Sequence, residues 1–209
     1  MKLTVFGATG RTGVEIVEQA LALNHEVIAV VRDPAKLGEF QSKVRVVRGD
    51  STDPRTAEDA VSGTDAVLSA LGHAGDSSSD FFSRSASNIV QAMKIQNIKR
   101  LVVLTNVAAH DPSDRPGLYN RILLLMLKLS MGRIARDTAE EARIVSESGL
   151  DWTLVRANVL TNGPLTKKYR IGAFDRNAGT RISRADVADF MISCAIDGKY
   201  VRAMPLISG

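Results

Sequence analysis

Residues 3 to 13 read LTVFGATGRTG, and their types and spacing fit one chemistry, the binding of a dinucleotide pyrophosphate. A short β-rich run, Leu3 to Phe6, meets three glycines, Gly7, Gly10 and Gly13, and an amphipathic stretch follows with Val14, Ile16, Val17, Ala20, Leu21 and Leu23 as its apolar members. Gly7 allows a tight turn off the strand. Gly10 lets backbone approach a phosphate without a Cβ in the way. Gly13 lets the helix pack close to the sheet. Thr9, Arg11 and Thr12 complete the same turn. The free N–H groups that open the helix then point at the anion, helped by the helix dipole.

The second apolar run, EVIAVV at 26 to 31, ends in Arg32-Asp33-Pro34, about 20 residues past the glycine turn, where the adenosine ribose is read. An acidic group there accepts from a free 2′-hydroxyl and repels a 2′-phosphate. An Arg holds a 2′-phosphate by charge-assisted bonds. Arg32, with Lys36 four residues on and Arg11 in the glycine turn, therefore favours NADP(H) over NAD(H). An inward-turned Asp33 would leave NAD open. A third strand, VRVV at 44 to 47, closes on Arg48-Gly49-Asp50-Ser51. In such folds the acidic residue at this position lies near the adenine, so Asp50, with Ser51, either joins the cofactor site or caps the helix expected over 54 to 62. A fourth strand, DAVLSA at 65 to 70, ends in Leu71-Gly72-His73, on the ribose and pyrophosphate side. His73 and His110 each read either as loop residues or as proton donors near the same rim.

Strands and helices alternate along the chain, which predicts an α/β fold: a Rossmann-like, doubly wound parallel sheet with right-handed crossovers, in a single domain over 1 to 209. A length of 209 residues suits one sizeable core. Two further strand ends should face the site: LVVLT, ending in Thr105-Asn106, and WTLVR, ending in Arg156-Ala157-Asn158-Val159. Thr105, Asn106 and Arg156 are the candidate catalytic residues. Thr105, Asn106, Ala157 and Asn158 also fall beside the expected nicotinamide. Arg156 either orients an anionic acceptor or pairs with Glu140 or Glu141. Ser183 is the expected N-cap of a helix that carries Asp186 at its third position, and MPLIS at 204 to 208 is a candidate last strand.

Taken in order, GATGRTG, VVRDPAKL, VRGDSTD, DAVLSALG, NIVQAMKIQNIKRLVVLTN, SESGLDWTLVRAN and ISRADVADFM cover nearly the whole chain. In these motifs the chain resembles an atypical short-chain dehydrogenase/reductase. It is most similar to the NAD(P)H-binding group that holds the biliverdin-IXβ/flavin reductases and the NmrA-like proteins. The resemblance implies a nicotinamide cofactor and hydride chemistry. Asn106 stands where the biliverdin-IXβ reductase pattern has Ser, and Val159 where it has His, so substrate handling need not be the same.

Mainstream members of the superfamily use a Tyr and a Lys four residues later to move a proton. Four residues after Tyr119, Tyr169 and Tyr200 stand Leu123, Ala173 and Met204, so no such dyad exists. Conjugated acceptors such as flavins, quinones or tetrapyrroles stabilise an added hydride, and solvent can then supply the proton. The expected function is an NADPH-dependent reductase of such a small-molecule acceptor. The alternative is a non-catalytic NADP(H) sensor of the NmrA-like kind that acts through a protein partner.

Other features bound the reading. A net charge of +4, spread without a basic stripe, argues against a nucleic-acid partner. A single cysteine, Cys194, fits a reducing cytoplasm, and scattered His and Cys predict no metal site. With the first strand at residue 2 or 3, no targeting segment is expected. The apolar stretch 118 to 134 is too short and too charged at its edges to span a bilayer. It reads as a buried helix or a homodimer contact, as a lid over the nicotinamide end, or as a membrane-surface element. The substrate side is expected from about 106 to 135 and 157 to 209.

Overall fold

Parallel strands buried on both faces need continuous apolar, β-branched sequence, and the computed structural model forms its sheet from such runs. It describes residues 1–72, 78–111, 114–115, 117, 132–175 and 179–209. The strands are β1 (Lys2–Phe6), β2 (Glu26–Val31), β3 (Arg45–Arg48), β4 (Ala66–Ser69), β5 (Arg100–Asn106), β6 (Asp151–Ala157), β7 (Val159–Thr161), β8 (Arg170–Gly172), β9 (Arg181–Ser183) and β10 (Leu206–Ser208). The helices are α1 (Arg11–Ala22), α2 (Pro54–Val61), α3 (Phe81–Ile95), α4 (Gly132–Ser146) and α5 (Arg184–Asp197).

An 8-stranded sheet runs in the order β3-β2-β1-β4-β5-β6-β10-β8. Its neighbours are parallel except for β8, which lies antiparallel to β10. The order reverses between β1 and β4, and ligands of open α/β sheets bind at the carboxyl ends of the strands beside such a reversal. This is the Rossmann-like doubly wound sheet the sequence predicts. Side chains alternate across it. Leu3, Val5, Val102 and Val155 join one core layer with α1 and α5. Phe6, Val67, Leu101 and Val103 join the other with α2, α3 and α4. Cys194 is fully buried in the first layer.

Several local expectations hold. Ser183 caps α5, its hydroxyl accepting from the Asp186 amide at 3.0 Å. The last strand expected over 204 to 208 forms as β10, over Leu206–Ser208. Two details differ. The cap of α2 is Asp53, which accepts from the Arg55 amide at 3.0 Å, and not Asp50. A separate two-stranded ribbon, β7 with β9, was not foreseen. The expected apolar helix falls largely on residues 118 to 131, outside the described residues; its last three residues, Gly132 to Ile134, open α4. None of the helices among the described residues is long and apolar enough to cross a membrane.

The join between β1 and α1 tolerates little change. A Cβ added at Gly13 would collide with the Gly7 carbonyl and lie 2.9 Å from the Ala8 Cα. Helix propensity alone would favour Ala at this position by about 1 kcal/mol. The backbone collision reverses that sign. Gly13→Ala is expected to lower stability by roughly 1–3 kcal/mol, as overpacking does, measured by urea unfolding.

Candidate functional site

Four strand ends converge on a cavity of about 380 Å³. The β1 end contributes Phe6, Gly7, Thr9, Gly10 and Arg11; the β2 end contributes Arg32 and Lys36. The β3 end adds Gly49, Asp50 and Ser51, the β4 end adds Leu71 and Gly72, and Phe81 of α3 completes the wall. Gly7 has φ +77, and a Cβ on it would stand 2.6 Å from the Ala70 carbonyl oxygen. Only glycine fits that turn. Gly10 precedes α1 with no side-chain cap, and the first turn of α1 holds no acidic residue. The helix therefore presents uncapped amides beside the cavity, which suits an anion.

The cations and carboxylates around this cavity are sorted by sign. Asp33 does not turn inward: its Oδ1 accepts from the Ala35 amide at 3.2 Å and caps the turn over Pro34–Ser42. Arg32 and Lys36 thus line the β2 side of the cavity while Asp33 is held by its own backbone. Across from them Asp50 accepts from the Thr52 amide at 2.9 Å and the Thr52 hydroxyl at 2.7 Å. Partial burial pushes the Asp50 carboxyl up, but the Thr52 bonds, with Arg32 and Arg84, bring it below the usual range. Ser51 is tied to α3 through a 2.8 Å bond between its hydroxyl and that of Ser85. Thr12 and Gly13 sit on α1, buried behind the turn. His73 lies outside the described residues.

Arg184 is a cation that sequence reasoning missed. It opens α5, which packs along α1, and its Nη1 donates to Asn162 Oδ1 at 2.6 Å. Burial lowers its pKa, and the charge of Arg11 lowers it further, so two guanidiniums share the space by the glycine turn. Its sequence signal is the Ser-Arg-Ala-Asp start of α5, which by itself marks only a helix cap. Phe81 and Gly49 were missed because their places depend on where α3 starts and how Thr56 packs.

The second set of predicted residues stands one strand further along. Register pairs Ser69 with Val103, so Thr105 lies two residues further toward the carboxyl end of β5, as Leu71 of the cavity wall does beyond β4. Thr105 and Asn106 end β5 beside Arg156 and Ala157 of β6. Asn106 Nδ2 reaches Thr138 Oγ1 at 3.4 Å, and its Oδ1 accepts from the Ala108 amide at 2.8 Å. Asn158 donates to the Gly179 carbonyl at 2.8 Å, across the β7–β9 ribbon. Behind Thr105 is a buried carboxyl, Glu141 of α4, which accepts from Thr105 Oγ1 at 3.3 Å. Burial, with Asp137 adding to it and the Thr105 bond opposing it, pushes the Glu141 carboxyl up to about 8. Helix α4 carries no Tyr and no Lys.

Arg156 is paired, but not with Glu140 or Glu141. It is fully buried, and its guanidinium donates to both Asp114 oxygens, at 2.6 and 2.9 Å. It donates also to the carbonyls of Met204 at 2.9 Å and Ala109 at 3.2 Å. Glu140 instead pairs with Arg143 on its own helix. Every side of the Arg156 fork is occupied, so it positions chain rather than reaching toward an acceptor. Asp114 further accepts from the amides of Asp111 and Phe174, both at 3.0 Å. The pair thereby fastens the segments after β5 and after β8 to the end of β6. His110 is largely exposed, with Nδ1 3.3 Å from Asp114.

A profile of the NAD(P)H-binding family matches residues 7–197. The chain belongs to that family. It is 28% identical over 206 residues to an uncharacterized chloroplastic protein of Arabidopsis thaliana, covering 93% of this chain and 72% of that one. It is 29% identical over 155 residues to an NAD(P)H azoreductase of Xenophilus azovorans, covering 74% of this chain and 46% of the azoreductase. In fold it resembles an anaerobillin reductase from Escherichia coli O157:H7, with a TM-score of 0.82, 22% identity and coverage of 100% and 97% of the two chains.

Burial raises the Asp114 pKa, but the bonds from Arg156, Asp111 and Phe174 outweigh it and hold the carboxyl down at about 2. A depressed folded pKa means stability that is complete above the ordinary carboxylate range and lost as pH falls toward 2. Asp114→Asn keeps the shape and leaves Arg156 buried without a counter-charge. It should cost about 3–5 kcal/mol, read by urea unfolding at neutral pH, and it should flatten the acid limb of the stability curve.

Proposed function

We propose that this chain is an NADPH-dependent reductase that delivers hydride to a conjugated acceptor, such as a flavin, a quinone or a tetrapyrrole-like molecule. The observation that carries the cofactor choice is the pair of cations, Arg32 and Lys36, on the cavity wall with Asp33 turned into its own backbone. The two cations hold a 2′-phosphate by charge-assisted bonds. The amides at the start of α1, with Arg11 and Arg184, hold the pyrophosphate. Asp50, anchored by Thr52, accepts from the adenine amino group. Gly72 and Leu71 let backbone close over the ribose. When bound, the cofactor supplies the hydride.

On the acceptor side, Thr105, Asn106, Ala157 and Asn158 stand at the carboxyl ends of β5 and β6. Asn106 has an amide to offer a carboxamide or an acceptor carbonyl. Arg156 and Asp114 hold the walls in place, so that orientation and water exclusion do the catalytic work. The expected substrate side, about 106 to 135 and 157 to 209, falls in part outside the described residues. The missing Tyr–Lys dyad disfavours simple alcohols and ketones as substrates and favours acceptors that stabilise an added hydride themselves. Membership of the NAD(P)H-binding family and the likeness to two reductases support this reading.

The test is NADPH oxidation under anaerobic control with FMN, a quinone and biliverdin in turn, and NADH as the parallel donor. Saturable turnover that prefers NADPH is expected with at least one acceptor. Tight NADPH binding with no turnover on the whole panel would favour the sensor. Arg32→Ala should weaken NADPH binding by about 10- to 100-fold, the loss of a contact of ~1.5–3 kcal/mol, and leave NADH binding nearly unchanged. Fluorescence titration reads both, and equal losses would remove the 2′-phosphate assignment.

A further inference from the structure

The sequence offers no Tyr–Lys dyad, yet the end of β5 is not without a proton. Glu141 is 4% exposed and Thr105 8% exposed, and the two are joined by a 3.3 Å hydrogen bond. Among the described residues Glu141 has no other hydrogen bond and no ion pair. A carboxylate in that setting would be a buried, unpaired charge, which is costly enough that the neutral acid is preferred.

Its neighbour one turn back behaves differently. Asp137 accepts from the Phe82 amide at 2.8 Å, the Ser83 amide at 3.0 Å and the Ser83 hydroxyl at 2.5 Å. It thereby caps α3, whose own N-cap Asp80 makes no side-chain cap bond. A helix N-terminus favours negative charge, so Asp137 is supplied with donors while Glu141 is not. Among the described residues, the charge that acts on Glu141 is Asp137, on its own helix; Arg156 of β6, opposite Thr105 in register, is taken up by Asp114.

We propose that Glu141, acting through Thr105, is the proton store for reduction at the carboxyl end of β5. This rests on the reductase reading and replaces solvent as the immediate source of the proton. The acceptor takes two electrons with the hydride and one proton from the Thr105 hydroxyl. As that O–H bond breaks, the Glu141 carboxyl proton passes to Thr105 Oγ1, so the hydroxyl is restored and Glu141 is left as the carboxylate. Solvent then reprotonates Glu141. The hydrogen bond between two oxygens serves either direction, with Thr105 donating to the carboxylate or accepting from the acid. Thr105 is the group that touches the acceptor; Glu141 acts one bond behind it.

Two readouts test this. The first needs no turnover: ¹³C NMR of glutamate-labelled protein, with the Glu141 signal assigned by its loss in Glu141→Gln. The signal should titrate near pH 8, well above the other glutamates; titration in the ordinary carboxylate range overturns the proposal. The second is the pH dependence of acceptor reduction. The wild-type rate should fall as pH rises through about 8, where the acid form is lost. Glu141→Gln should fold normally, bind NADPH within twofold of wild type, lose that inflection, and slow reduction by about 100-fold or more, as expected for a general acid. Thr105→Val should show the same kinetic loss while Glu141 still titrates high, and Thr105→Ser should restore the rate. Variants with the wild-type rate and profile overturn the proton store and leave the reductase standing. A wild-type protein that turns over no acceptor overturns both together.

Discussion

The close packing of α1 on the turn after β1 is the contact on which the carboxyl edge of the sheet depends. Gly13 lies so near the Gly7 carbonyl that no side chain fits between them, and Gly7 is pressed in turn against the Ala70 carbonyl. These contacts fix three things at once: the angle of α1, the opening between β1 and β4, and the direction in which the first amides of α1 point. The sheet reverses its strand order at the same place. The uncapped amides that open α1 and the cavity at the strand ends therefore come from one packing constraint. The charged residues on the neighbouring strand ends are then carried to its rim.

Two buried carboxyls on the far side of the crevice show how context decides what a charge does. Asp114 is met by a bidentate guanidinium and two amides, so it stays ionised and clamps two segments to β6. Glu141 meets a single hydroxyl and a like-charged neighbour, so burial favours its neutral form. The first is a structural fastening. The second leaves a neutral acid bonded to the hydroxyl at the end of β5. Asp114 bonds directly to Arg156 of β6, and Glu141 to Thr105 of β5.

Local signals carried most of the fold. Continuous β-branched runs mark β1, β2 and β5 because both faces of these strands are buried. The glycine triplet marks the turn because only glycine survives the contacts at Gly7 and Gly13, and Ser183 marks α5 because a cap is a local hydrogen bond. What was hidden is non-local. Arg156 was matched with glutamates on a helix, whereas its partner is Asp114, in a loop 42 residues away whose position depends on the fold. Arg184 sits by Arg11 only because α5 packs along α1. The β7–β9 ribbon has three residues per strand, too few for any periodicity to register. Asp50 was offered as the cap of α2, but the helix starts at Pro54, so the cap falls to Asp53 directly before it, while Asp50 is held by Thr52.

The most direct measurement is a crystal structure of the protein grown with NADPH. The dinucleotide should lie across the β1–β4 crevice. Its pyrophosphate should rest on the amides from Gly10 onward, its 2′-phosphate between Arg32 and Lys36, and its nicotinamide near Thr105 and Asn106. A dinucleotide bound elsewhere, or one whose 2′-phosphate points away from Arg32 and Lys36 into solvent, would contradict the assignment of this crevice as an NADPH site.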